Sequence, residues 1–192
     1  MAQSAQQKGP LLMIGGRFES DNRPLLDALK THSGGRIAVL AMASGFPLEV
    51  GRELVDDFRN HGMEAELIPL FWENRDIAGT SLSAWTAGLC EDPEEEDGFR
   101  VGTGLGFFSY GLVDQHFLQR GRIGRLLAAS RELGQTLAYG IDENSGLLVE
   151  GETGTVIGET GVVLLDLRKA RFDGGGYSMR DLRLSFLADG ER

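Results

Sequence analysis

The sequence contains little that would indicate an oxidising compartment, a membrane or a nucleic-acid partner. One of its 192 residues is cysteine, Cys90, so no intrachain disulfide can form. No apolar run approaches the roughly 20 residues that a membrane helix needs. The formal charge of −10 disfavours nucleic acids and anionic membranes, because both would repel the chain. Residues 1–10 are expected to form a disordered tail without the apolar stretch of a signal peptide, so a cytoplasmic location is expected.

The composition is that of an ordinary globular domain. Hydrophobic residues make up 41% of the chain and charged residues 25%. The length allows one domain with a substantial core but not two, so residues 1–192 are predicted to form a single domain.

The first half of the chain alternates apolar runs with amphipathic stretches. The apolar runs predict buried strands at residues 11–14, 36–43 and 65–71. Two helices are predicted between them, the first capped by Asp21 or Asn22 with Pro24 in its first turn, and the second ended by Gly62. This order predicts an α/β fold with a doubly wound, mostly parallel sheet flanked by helices.

The second half has a different pattern. No strand is predicted from residue 72 to residue 99, and the acidic run at residues 91–97 is expected to be a solvated loop. A helix is predicted over residues 117–133. Strands are predicted at residues 104–108, 111–113, 137–141, 147–149, 155–157, 162–167 and 182–187. The last of these are short and separated by glycine turns, which predicts C-terminal β-hairpins.

Histidine is scarce, with three residues in the chain. His32 and His61 lie near predicted helix C-termini, where a positive charge is favourable, so structural roles are expected for both. His116 instead lies where an apolar strand meets the following helix. Side chains at such junctions project from the carboxyl edge of the sheet, where active sites form. His116 is therefore the main candidate for a catalytic residue.

Three arginines follow His116 closely, at positions 120, 122 and 125. Arg122 and Arg125 are three residues apart and share a face of the predicted helix. No acidic residue interrupts this stretch before Glu132. The spacing alone is compatible with a functional cluster and with a plain basic surface. No group of His, Cys and carboxylate residues has metal-ligand spacing, so neither a metal nor another cofactor is expected.

The segment around these residues resembles a known family. The run at residues 113–127, which contains Asp114-Gln115-His116-Phe117 and the three arginines, resembles the signature of cyanophycinases. These enzymes are relatives of dipeptidase E with the class I glutamine-amidotransferase-like fold. Similar blocks occur at residues 12–16, 39–45, 104–108 and 139–145. The resemblance covers most of residues 10–167.

The resemblance implies a serine-type exopeptidase without a cofactor, acting on an arginine-rich polyaspartate peptide and releasing β-aspartyl-arginine. His116 would be the general base that takes a proton from the nucleophile. The resemblance also implies a substrate pocket lined by Asp114, Gln115, Arg120, Arg122 and Arg125. Glu143 would either orient His116 or hold a substrate arginine. Cyanophycinases further suggest a homodimer.

The nucleophile is where the resemblance is weakest. Family members carry a Gly-Gly-Asp-Gln segment, absent here, and a Gly-Thr-Ser-Ala-Gly-Ala turn, to which only residues 79–84 come near. Leu82 fits poorly there, because such a turn needs small residues after the nucleophile. Seven residues separate Phe71 from Gly79, fewer than the ten to twelve of a parallel crossover, so central strands of the sheet are predicted to be missing.

Two hypotheses follow for Ser81. In the first it is the nucleophile of an active peptidase. In the second it is an ordinary loop serine, and the chain is an inactive paralogue that binds such peptides or partners an active homologue.

Overall fold

The computed structural model of the chain describes residues 9–16, 18–41, 46–68, 89–91, 99–101, 107–173 and 178–192. Three helices lie in these ranges: α1 (Arg23–Ser33), α2 (Pro47–Asn60) and α3 (Ile123–Glu132). The strands in the same ranges are β1 (Leu11–Ile14), β2 (Arg36–Val39), β3 (Glu64–Leu67), β4 (Leu89–Glu91), β5 (Phe99–Val101), β6 (Leu112–Gln115), β7 (Leu137–Ile141), β8 (Ser145–Glu150), β9 (Thr153–Gly158), β10 (Val162–Asp166), β11 (Arg171–Asp173), β12 (Ser178–Arg180) and β13 (Arg183–Leu187). None of these three helices has the combination of length and apolar composition that a membrane crossing requires.

Helix α1 begins and ends as its sequence predicts. The Asn22 side-chain oxygen accepts a hydrogen bond from the Leu25 backbone N–H at 3.3 Å, with Pro24 in the first turn. Gly34 ends the helix in the left-handed conformation with φ 64°. Leu25 and Leu26 are fully buried, and each such side chain stabilises the fold by about 1.5–3 kcal/mol.

Helix α2 joins two parallel strands. β2 and β3 pair in parallel, with Ile37 opposite Ala65. A hydrophobic cluster formed by Leu26, Val39, Val55, Phe58, Met63 and Ala65 brings residues of α1 and α2 together with residues of both strands. The predicted strand at residues 36–43 is shorter in the structure and ends at Val39.

The second helix-linked parallel pair is β6 and β7, joined by α3. β7 also pairs antiparallel with β10, and β10 pairs with β13, which makes a four-stranded sheet in the order β13-β10-β7-β6. The apolar residues of α3 pack on this sheet in a cluster that contains Leu112, Phe117, Leu126, Ala129, Ala138, Val163 and Leu165.

A separate three-stranded antiparallel sheet has the order β1-β8-β9. The chain passes from the four-stranded to the three-stranded sheet through residues 142–144, between β7 and β8. A third cluster, with Phe108, Ile141, Leu147, Val149, Val156 and Val162, contains residues from both sheets. Adjacent strands β8 and β9 form a hairpin, as do β11 and β12, in agreement with the hairpins predicted for this part of the chain.

The structure is an α/β fold with mixed sheets, and the doubly wound parallel arrangement stays a prediction. Among the described residues, two of the eight strand pairs are parallel. β1 pairs antiparallel with β8. Its apolar residues indicate a buried strand, but they do not specify the direction of its partner.

Two other predictions are wrong in detail. β4 and β5 form an antiparallel pair, so a strand at residues 89–91 lies in the stretch for which none was predicted. Helix α3 begins at Ile123 rather than at residue 117, because Gly121 has φ 61° and the Arg122 N–H bonds to the Phe117 carbonyl. A residue with positive φ interrupts an α-helix.

Candidate active site

His116 lies directly after β6, in a conformation that few histidines adopt. Its φ is 49°, and its backbone N–H donates to the Gly15 carbonyl at 2.6 Å. The imidazole lies on the backbone of Gly16, which follows β1. A Cβ atom at Gly16 would be 2.3 Å from both Cε1 and Nε2 of the ring, so a glycine is required beneath it.

The His116 ring is paired with a carboxylate. Its Nδ1 lies 2.7 Å from Oε1 of Glu143, and the two side chains are 18% and 35% exposed. Because an ionised carboxylate only accepts hydrogen bonds, Nδ1 carries the proton. Among the described residues, Nε2 has no hydrogen-bond partner. In the neutral form of such a ring, the lone pair lies on Nε2.

Glu143 belongs to the short connection between β7 and β8, whose backbone is fixed from several sides. The Glu143 N–H donates to the Gln119 side chain at 3.3 Å, and its carbonyl accepts from the Thr160 hydroxyl at 2.5 Å. Asn144 follows with φ 60°. The Asn144 carbonyl accepts a hydrogen bond from the buried Asn22 side chain at 2.9 Å. The residue that caps α1 therefore also binds the connection that carries Glu143.

Asp142 precedes Glu143 and is buried. Its Oδ1 accepts a hydrogen bond from the Leu118 N–H at 2.8 Å. Burial raises the pKa of the Asp142 carboxyl above its ordinary value; the Leu118 hydrogen bond opposes this rise, and the charge of Glu143 adds to it. The Asp142 contact ties the turn after His116 to the connection that carries Glu143.

Asp114, two residues before His116 in the sequence, forms a buried ionic cluster with Arg122 and Arg125. The Asp114 side chain is 3% exposed, and its Oδ2 accepts from Nε of Arg125 at 3.0 Å, while Nη2 of Arg125 contacts Oδ1. Nη1 of Arg122 lies 3.3 Å from Oδ1 of Asp114 and donates to the Gln115 carbonyl at 2.6 Å. Two guanidinium groups thus share the Asp114 carboxylate in charge-assisted hydrogen bonds.

The structure brings only some of the predicted site residues together. His116 contacts Glu143, and Asp114 contacts Arg122 and Arg125, while Gln115 and Arg120 are exposed. Ser81 lies outside the described residues, as does most of the acidic run predicted to be a loop. The roles of all these residues toward a substrate stay predictions.

The sequence did not indicate the residues that hold Glu143 in place. Thr160 lies between β9 and β10, and Ser145 begins β8. Ser145 ends the block at residues 139–145 that resembles cyanophycinases, but the block assigns it no role, and Thr160 belongs to no motif. Their contact depends on the way the β8 and β9 hairpin brings residues 145 and 160 together.

An imidazole held by a carboxylate at the end of a parallel strand is the arrangement that orients a general base in many hydrolases. Comparison with known proteins leads to a more particular class. The chain is 27% identical over 197 aligned residues to cyanophycinases of Synechococcus elongatus and Thermosynechococcus vestitus, with 94% of the chain covered. It is 33% identical to the cyanophycinase of Geminocystis herdmanii over 97 residues, which cover 46% of the chain and 36% of that protein.

The chain is therefore a cyanophycinase-like relative. It spans 58% of the length of the Synechococcus and Thermosynechococcus proteins. No protein-family model matches the chain.

Proposed function

We propose that this protein is a serine-type exopeptidase that hydrolyses cyanophycin-type peptides and releases β-aspartyl-arginine. The observation that carries the proposal is the contact of 2.7 Å between His116 and Glu143, in a chain similar to cyanophycinases over 94% of its length. The carboxylate keeps the proton on Nδ1 and leaves Nε2 as the acceptor that an acyl-transfer reaction needs.

In the proposed reaction, Nε2 of His116 takes the proton of a serine hydroxyl as its oxygen adds to the scissile carbonyl carbon. Glu143 stabilises the imidazolium that results. The imidazolium then gives its proton to the leaving amine nitrogen, and the C–N bond breaks to leave an acyl-enzyme. Water, deprotonated by His116, hydrolyses this ester and regenerates the serine. Ser81 is the proposed nucleophile.

The proposed substrate carries free carboxylates on its arginine groups and at its chain end. Guanidinium groups bind carboxylates bidentately, so an arginine near His116 is a suitable partner for such a group. Gln115 and Arg120 are exposed next to the histidine in sequence, where they are proposed to contact substrate. The His116 contact favours the orienting role for Glu143 over a direct bond to substrate arginine.

The test is release of β-aspartyl-arginine from the polymer by the full chain. Without the general base we expect the rate to fall by at least about 10³-fold, so His116→Gln and Ser81→Ala should both be inactive. His32→Gln, a histidine on α1, is the matched control and should keep the wild-type rate. Activity that survives Ser81→Ala would remove Ser81 from the mechanism, and activity that survives His116→Gln would overturn the proposal.

A second candidate, a binding protein that partners an active homologue, is favoured by Leu82 in the predicted nucleophile turn and by the 58% coverage of the relatives. Calorimetry with β-aspartyl-arginine separates the two. Heat of binding without release of product from the polymer would support the binding protein, and turnover would exclude it. Light scattering of the same sample would test the proposed homodimer.

A further inference from the structure

Two hydroxyl groups behind the candidate site bind the backbone that carries Glu143. The Thr160 hydroxyl lies 2.5 Å from the Glu143 carbonyl oxygen and 2.8 Å from the Ser145 hydroxyl. The Thr160 backbone N–H donates to the Ser145 hydroxyl at 2.9 Å. Ser145 is fully buried, whereas Thr160 lies at the surface in the turn between β9 and β10.

Within this network, each hydroxyl proton has a single available acceptor. The Glu143 carbonyl only accepts, so the Thr160 hydroxyl donates to it. The Thr160 oxygen then accepts from the Ser145 hydroxyl, and the Ser145 oxygen accepts from the Thr160 N–H. Because each group satisfies another, the network has a single arrangement, and it ties the 159–161 turn to residues 143–145.

The position of the Glu143 carbonyl decides where its carboxylate points. The next residue, Asn144, adopts φ 60°, a left-handed conformation that asparagine tolerates, and its side-chain oxygen accepts a hydrogen bond from the Glu19 N–H at 2.8 Å. The Gly15 N–H, from the turn on which His116 lies, donates to the Ser145 carbonyl at 3.0 Å. The connection that carries Glu143 is therefore bonded to the Gly15–Gly16 turn, on which the imidazole lies, and also to Thr160.

We infer that Thr160 is a positioning residue, whose hydroxyl holds the Glu143 backbone so that the carboxylate meets Nδ1 of His116. Its methyl group has no part in this role. The effect on catalysis rests on the proposed function, but the effect on the His116 tautomer does not. Thr160→Val removes the hydroxyl at nearly constant shape, and Thr160→Ser, the matched control, keeps it.

The experiment is nitrogen NMR of the full chain labelled at its histidines. Three ring systems are present, and the His116 signals are assigned by their loss in His116→Gln. In the wild type and in Thr160→Ser, we expect the neutral His116 ring to carry its proton on Nδ1. In Thr160→Val, we expect a mixture with the Nε2-protonated form, with the other two histidines unchanged. Circular dichroism of each variant checks that it is folded.

Two results would overturn the inference: a Thr160→Val spectrum identical to that of the wild type, or the same change in Thr160→Ser. If Thr160→Val does not fold, Ser145→Ala removes the hydroxyl that donates to Thr160 and must produce the same mixture. For an active enzyme, Thr160→Val should lower kcat roughly tenfold to a hundredfold with little change in KM, because the base is misplaced rather than the substrate. A protein without peptidase activity that still shows the tautomer change would refute the proposed function and leave the role of Thr160 standing.

Discussion

The buried cluster of Asp114, Arg122 and Arg125 allows a sharp prediction about stability. Asp114→Asn keeps the shape of the side chain and removes the charge that two guanidinium groups share. Arg122 and Arg125 would then be near neighbours of like charge with side chains only 10% and 11% exposed. Removing one partner from a buried ion pair costs about 3–5 kcal/mol. Because the asparagine oxygen can still accept one hydrogen bond, we expect a loss near the lower limit, about 3 kcal/mol.

Urea titration at pH 7 measures this loss directly. For a chain of 192 residues, about 3 kcal/mol corresponds to a fall in Tm of roughly 6–12 °C. The matched control is Asp173→Asn, because the side chains of Asp173 and its partner Arg180 are 58% and 72% exposed to solvent. Exposed pairs contribute little, so this control should unfold close to the wild type. Equal losses for the two variants would refute the reasoning that burial makes the Asp114 cluster stabilising.

Two further predictions concern the loops that meet at the imidazole. Gly16→Ala should destabilise the fold by about 1–3 kcal/mol and displace the His116 ring signals in NMR, because the new Cβ atom meets the ring in a backbone at φ 115°. Gly124→Ala, in open space on a helix, should instead raise stability slightly, and similar effects of the two would contradict the proposed contact. Asp142→Asn keeps the acceptor for the Leu118 N–H and removes a buried charge. Because the pKa is raised, the folded state binds the Asp142 proton more tightly than the unfolded state does. The free energy of unfolding therefore falls as the pH rises from 3.8, the ordinary pKa of this carboxyl, through the raised pKa of the folded state. Urea titration at pH 7 should therefore show that Asp142→Asn is more stable than the wild type, and the difference should shrink toward pH 4. A lower stability of the variant at pH 7 would show that the charge of Asp142 is needed.

Local signals predicted the local structure well. Asn22 and Pro24 gave the start of α1, and Gly34 and Gly35 its end, because capping depends on a few neighbouring residues. The start of α3 was placed six residues too early, since the apolar positions after His116 resemble a helix stripe. The left-handed Gly121 that interrupts them has no signal beyond the glycine itself.

Partners distant in sequence were predicted less well. The apolar character of β1 indicates burial, but its antiparallel pairing with β8 depends on residues more than a hundred positions away. In the site, the position of His116 at a strand end follows from the residues themselves. Glu143 was a candidate only through the resemblance to cyanophycinases, and Thr160 was not predicted at all, because a turn threonine has no distinguishing pattern.

The connection at residues 142–144 passes from the four-stranded to the three-stranded sheet, while the Gly15 and Gly16 turn under His116 follows the edge strand β1. The His116 site is therefore built where the two sheets meet. His116 follows a strand of the four-stranded sheet, Gly16 follows a strand of the three-stranded sheet, and residues 142–144 connect the two sheets. A slight separation of the two sheets would break the contacts among the Glu143 carboxylate, the His116 ring and Gly16. A perturbation that separates the sheets in this way can be too small to unfold either of them. In mild denaturant, we therefore expect His116 to lose its contact with Glu143 while the circular dichroism spectrum is still that of the native protein.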